Sequence, residues 1–409
     1  MRDGLLGRAR EMKWAAPIPY YGWVLVVALG VATIVSYGTT EYLFGVLVVP
    51  MGLELGWDRA SLSGAYSVML IAAGLLGVPI GRVVDRRGAR VLMAVGSLLG
   101  AASLFGLTHV HDLWQFYVLW AGGVGLATAL TYYPVTFTVV ANWFERRRGA
   151  ALAVLTLLGG LASPIFIPLA GVLVPRLGWR GTLVVMAVTQ LAIALPLHAL
   201  VVRRHPEDLG LLPDGVTARA HAPSDGQARS GILPGLTVRL ALRQAPFWTL
   251  TTAYALTALA TNVILVHTVP FLIESSYSGE LAAGVAGAVG VTSLPGRFLL
   301  NRLSDRVGPQ PLLGLTLILQ ASGVALLLLG GSRGIGWLLA YVAMYGAAYG
   351  AASPLRAGVI AEHFGRRAYG AITAVQGVPI ALCAGFGPFA AGWLFDRLGG
   401  YGFSLGLSA

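Results

Sequence analysis

Cysteine occurs once in 409 residues, as Cys383, so a disulfide framework, a CxxC redox pair and a thiolate zinc site are all excluded. Lysine also occurs once, as Lys13 near the N-terminus. The GK[ST] of a nucleotide-binding P-loop is therefore absent, and ATP-driven work by this chain goes with it. Charge is scarce too: 11% of residues are charged and 56% are apolar, with a mean hydropathy of +0.74. Soluble domains carry about 25% charged residues. A water-soluble globule could not hide this much apolar surface, and a disordered chain would be polar. The composition is that of an integral membrane protein. No HExxH or clustered metal-ligand pattern occurs. GFSLG at 402–406 matches a nucleophile elbow in letters only, without the strand–turn–helix context. Neither an enzyme nor a cofactor or metal site is expected. The opening MRDGLLGRAREMKW has no cleavable signal pattern.

A hydrocarbon core of about 30 Å needs roughly 20 consecutive apolar residues in a helix. Eleven stretches qualify: 23–50, 60–81, 90–108, 113–141, 149–174, 181–202, 247–273, 282–302, 311–330, 334–361 and 369–396. Loops between them are short except for the polar segment 203–246, which reads as a linker. Residues 1–22 form a tail, 23–202 a six-helix bundle and 247–409 a second bundle. Placing the N-terminus in the cytoplasm puts 21 of the 28 Lys and Arg residues on the inner side. The net charge of +11 is thus a topology signal, and no nucleic-acid partner is expected.

Three landmarks recur at nearly one offset. GRVVDRRGAR at 81–90 is echoed by LSDRVG at 303–308, WFERRRGAA at 143–151 by HFGRRAYGA at 363–371, and GVLVPRLG at 171–178 by GWLFDRLG at 392–399. The offsets are 220, 220 and 221. A parallel duplication about an axis normal to the membrane follows. The expected fold is an all-α membrane protein of two six-helix bundles. By the same offset a twelfth helix would run over about 401–422, so most of it is expected to be missing.

GRVVDRRGAR resembles the GxxxDRxGxR loop signature of the major facilitator superfamily, with its degenerate copy where that family places one. YYGWVLVVALG, FGVLVVPMGLELGWDRASLSGAYS, WFERRRGAALA, RHPEDLGLLPDG and EHFGRRAYGAI resemble the monocarboxylate and oxalate/formate branch. The resemblance implies the 6+6 major facilitator fold. It also implies a charged gating latch at Gly81, Asp85, Arg86, Gly88 and Arg90, with Asp305 and Arg306 in the second copy. Gly81 and Gly88 would allow close helix approach and a tight turn there; the alternative is that these charges only mark topology.

Ionisable residues inside spans are expensive and usually face a cavity. Glu41 is the acid deepest in any span; Arg297 and Arg356 are the intramembrane cations. The resemblance puts Arg297 where related carriers grip substrate carboxylate, four residues before Asn301. A guanidinium can do so bidentately. A structural pair or a snorkelling arginine is the alternative. Animal monocarboxylate carriers keep a lysine where Glu41 stands and an acid where Ser293 stands. The chain has thus moved its acid from span 8 to span 1, and Glu41 is the candidate proton-coupling group, its charge set by desolvation against nearby arginine. Permanent pairing with an arginine, a place in an outer vestibule and binding of a cationic substrate remain open for Glu41. Tyr132 and Tyr133 in span 4, Asn262 and His267 in span 7, and Tyr345, Tyr349 and Arg356 in span 10 complete the candidate substrate site.

The expected activity is secondary active transport of small organic anions, monocarboxylates foremost, by alternating access with proton coupling or exchange. The partners are the anion, protons and the lipid bilayer, with a monomer as working unit in a multi-pass cell membrane, a bacterial inner membrane by motif style. The competing reading is a drug or cation exporter of the same superfamily. Span 5, LTLLGGLASPIFIPLAG, lacks the GxxxGPxxGG exporter pattern. A non-transporting sensor would need an added signalling domain, for which neither tail nor linker has the length.

Overall fold

In the structure, a computed structural model, residues 20–144, 147–215, 236–365 and 369–407 are described. Among them the regular structure is helical. The membrane-length helices are α1 (Tyr21–Leu55), α2 (Arg59–Arg87), α3 (Arg90–Leu107) and α4 (Leu113–Trp143), then a run Arg148–Val201. After the linker come α7 (Ala245–Glu274), α8 (Gly279–Val307), α9 (Pro309–Arg333), α10 (Ile335–Phe364) and α11 (Tyr369–Leu398), and a short α12 (Gly402–Leu407) begins the next. Ten runs are thus long and apolar enough to cross a membrane. The eleventh expected span is hidden in Arg148–Val201. At 1.5 Å per residue its 54 residues would reach roughly 80 Å, far beyond one crossing. Gly178, at φ 69° and ψ 172°, folds the run back on itself. It therefore counts as α5 (148–177) and α6 (179–201).

The duplication is written in the backbone. α2 starts at residue 59 and α8 at 279, and they end at 87 and 307, both offsets of 220. Asp58 caps α2 by accepting from Ser61 N–H (2.6 Å), and Ser278 caps α8 by accepting from Leu281 N–H (3.2 Å). Left-handed φ recurs in register at Gly56 and Ser276, Gly88 and Gly308, Gly178 and Gly399. Packing follows suit. α4 lies on α2 and α3 as α10 lies on α8 and α9, and α1 meets α5 as α7 meets α11. Three pairs join the two sets of helices: α2 with α11, α8 with α5, and α1 with α7.

One end of the bundle carries the 82–90 turn and the linker, and is called the basic end. At the opposite end the sets meet closely. A Cβ on Gly392 would lie 2.7 Å from the Arg59 carbonyl oxygen, and one on Gly385 would lie 3.0 Å from that of Ser67. Toward the basic end the last such α2–α11 approach is Gly74 to Ala381, while Gly77, Gly81 and Gly377 face open space. Among the described residues, the α2–α11 approaches that glycines mark therefore lie at the opposite end and in the middle of the pair. The close helix approach expected at Gly81 is not made among the described residues in this conformation.

Candidate functional site

The centre of the bundle is shaped by two interruptions of regular helix. In α1, Gly38–Tyr42 is wound as a π-helix. Such a bulge re-aims side chains and frees a carbonyl in mid-helix. Thr39 and Thr40 hydroxyls donate to the carbonyls of Val35 (2.8 Å) and Ser36 (2.6 Å), satisfying part of that distortion. In α4 the helix stops at Thr131, Tyr132 is extended (φ −81°, ψ −178°), and Pro134 stands in the first turn of the helix that restarts at Tyr133. Proline suits a helix start because its missing N–H has no partner there anyway. The two interruptions face each other: Thr40 Oγ1 and the Tyr132 hydroxyl are 2.7 Å apart, and Tyr132 also meets the Glu41 carboxyl.

Tyrosines surround that carboxyl. Tyr37 stacks on Tyr132 with ring centroids 3.6 Å apart and sits 5.1 Å from Tyr133. Tyr42, Tyr66 and Tyr349 lie within electrostatic reach of Glu41. Glu41 itself is half-buried and forms no ion pair among the described residues; the ion pair found there joins Glu54 to Arg180 at the opposite end. No arginine pairs with Glu41 among the described residues in this conformation.

Arg297 reaches across the bundle from α8. Its Nη1–H donates to the Thr156 carbonyl of α5 (3.0 Å) and its Nε–H to the Gly350 carbonyl of α10 (3.2 Å). It does not touch Glu41, but Tyr133 and Tyr349 interact with both. These two tyrosines therefore lie within electrostatic reach of both the acid and the cation. An adjoining cavity is lined by Tyr42 of α1, Ser163 of α5, Thr261 and Thr268 of α7, and Tyr345 and Tyr349 of α10.

The expected site residues thus divide. Glu41, Tyr132, Tyr133, Tyr349 and Arg297 come together, with Tyr345 beside them. Asn262 does not join: its Nδ2–H donates to Ala258 O one turn back (2.9 Å), and its neighbour Thr261 faces the cavity instead. Arg356 lies 4.5 Å over the Tyr254 ring, away from that cavity. His267 is fully buried, with Nε2 3.0 Å from the Pro388 carbonyl. Ser293 donates to Gly290 O within its own helix. Tyr37, Tyr42, Thr40 and Thr261 were not singled out from sequence. The run of tyrosine around SYGTTEY was the available signal for the first three.

At the basic end Gly88 takes φ 81° as a turn requires, and Arg90 Nε–H donates to Ala199 O of α6 (2.6 Å). Arg86 and Arg306 are exposed. The side chains of Asp85, Asn301 and Asp305 lie outside the described residues.

The sequence matches the Major Facilitator Superfamily over residues 29–388. It is 22% identical over 364 residues to the uncharacterized MFS-type transporter YcxA of Bacillus subtilis, covering 88% of this chain and 85% of that one. To monocarboxylate transporter 13 of Bos taurus it is 26% identical over 384 residues (93% and 84%), and to human monocarboxylate transporter 11 it is 27% identical over 398 residues (95% and 80%). Among solved structures, a bacterial homolog of the human lysosomal transporter Spinster superposes with a TM-score of 0.72 at 18% identity (92% and 83%). The nucleoside transporter NupG does so with 0.69 at 15% identity (94% and 95%).

Proposed function

The chain belongs to the Major Facilitator Superfamily, and on that premise we propose that it carries small monocarboxylates by alternating access, with Glu41 as the proton-coupling group. The carrying observation is a central acid, Glu41, without an ion pair among the described residues and set beside Tyr132, together with Arg297 reaching from α8 to the Thr156 carbonyl of the other bundle. The monocarboxylate transporters among its relatives support the substrate class.

Arg297 has the chemistry for the substrate carboxylate, since a guanidinium binds it bidentately. The guanidinium bonds to backbone carbonyls on α5 and α10, and a charged carboxylate is a stronger acceptor than either carbonyl. A bound carboxylate would draw Arg297 off Thr156, a bond that joins the two bundles, so binding would loosen the α5–α8 contact. Glu41, partly buried at the π-bulge, would gain and lose its proton as the cavity faces one side and then the other. The basic end is read as cytoplasmic, and the monomer as the working unit in a bacterial inner membrane.

Reconstituted protein given labelled lactate, pyruvate, formate or oxalate under an imposed pH gradient tests this. Gradient-driven uptake that Arg297→Ala abolishes is the expected result. A second reading, export of organic cations, is favoured by the same tyrosine-ringed Glu41. It would replace the first if no acid enters and a cationic dye is extruded in a Glu41-dependent way.

A further inference from the structure

At the opposite end the two bundle interfaces are built on one plan. Gly171 of α5 approaches the start of α8, where a Cβ would lie 2.5 Å from Ala283 Cβ, 3.5 Å from the Gly279 carbonyl oxygen and 3.6 Å from Glu280 Cα. Its repeat partner, Gly392 of α11, approaches the start of α2 in the same way, 2.7 Å from the Arg59 carbonyl oxygen and 3.1 Å from Ala60 N. Each glycine lets one helix press on the first turn of another. Four residues further the copies differ: α5 has Pro175 and α11 has Asp396.

That difference has a bonding consequence. Helix starts leave backbone N–H groups without intrahelical partners. In α2 three of them are taken. Asp58 accepts from Ser61 N–H, and Asp396 reaches across from the other bundle to accept from Arg59 N–H (3.1 Å to Oδ1) and Ala60 N–H (2.8 Å to Oδ2). A carboxylate at that place also meets the positive end of the helix dipole. The Arg59 side chain crosses in the reverse direction, 5.5 Å over the Phe395 ring and within electrostatic reach of Glu274 and Tyr401. Pro175 offers no acceptor side chain to α8.

We propose that Asp396, docked on the first turn of α2, is a one-sided latch that holds the opposite end shut, while the glycine-to-helix contact of α5 on α8 serves as its unbonded counterpart. The latch rests on the alternating-access reading above, but on no choice of substrate. Asp396 is solvent-exposed, so water replaces α2 as its partner when the interface parts. The two bonds are charge-assisted and bias the end closed without sealing it. Opening at this end then requires α2 and α11 to part and Asp396 to leave the first turn of α2.

The test reads accessibility and needs no substrate. In a Cys383→Ser background a cysteine is placed at Val289, which lines the central cavity, and is labelled in oriented vesicles with a membrane-impermeant maleimide from each face. Asp396→Ala should raise the labelling rate from the opposite face by on the order of tenfold. Asp396→Asn, which keeps one carbonyl acceptor and the shape, should raise it less. Labelling from that face unchanged in both variants would overturn the latch. Transport measurements on the parent judge the substrate reading separately.

Discussion

A single hydroxyl ties the two distorted helices together at the centre of this bundle. Tyr132 is held by Thr40 at 2.7 Å and meets Glu41, so Tyr132→Phe should leave the acid without its hydroxyl partner. A lost buried hydrogen bond of this kind costs about 1 kcal/mol. Transport should fall further than stability does, which uptake and thermal unfolding measured on the same preparation will show. Thr261 and Asn262 make a sharper pair. Thr261→Val changes the cavity wall and should slow uptake, whereas Asn262→Ala removes only a bond to the helix's own backbone and should leave uptake near the parental rate. Neighbouring positions on α7 were hard to separate in advance. The helix is apolar on most sides, so its periodicity does not say which residue faces inward.

Helix interruptions carry the next level. The break in α4 depends on Pro134, which cannot continue a helix through Tyr132. Pro134→Ala removes that block. It should let α4 run straighter, carry Tyr132 away from Thr40 and reduce uptake without unfolding the bundle; circular dichroism and uptake together report this. The turns impose a different demand. Gly88 (φ 81°, ψ 165°) and Gly308 (φ 87°, ψ 154°) occupy a region essentially reserved for glycine, so alanine at either should cost about 1–3 kcal/mol, read as a lower unfolding temperature. Gly81→Ala should be mild by that measure, because nothing approaches it in this conformation. A sequence states that a glycine is present, but not in which state of a moving protein its neighbour comes close. The YYP triplet likewise holds the signal for a break, in a proline with no N–H to continue the helix.

For the whole molecule, the duplication was legible because loops repeat their turn chemistry. Positive-φ turns recur 220 or 221 residues apart, in letter as well as dihedral at Gly88 and Gly308 and at Gly178 and Gly399, while the caps Asp58 and Ser278 repeat the bond with different side chains. Span limits followed from apolar length alone, and 23–50 for Tyr21–Leu55 shows the usual loss of a few residues at each end. The asymmetries were less visible, since each depends on what a side chain meets across the interface. Asp396 against Pro175 is one, and Glu41 facing tyrosines instead of an arginine is another. The most direct measurement is proton movement in reconstituted vesicles loaded with a pH-sensitive dye and given the transported acid outside. The account predicts that substrate entry acidifies the lumen in the parent, and that Glu41→Gln still exchanges labelled substrate but no longer acidifies. Acidification by Glu41→Gln at the parental rate would contradict it.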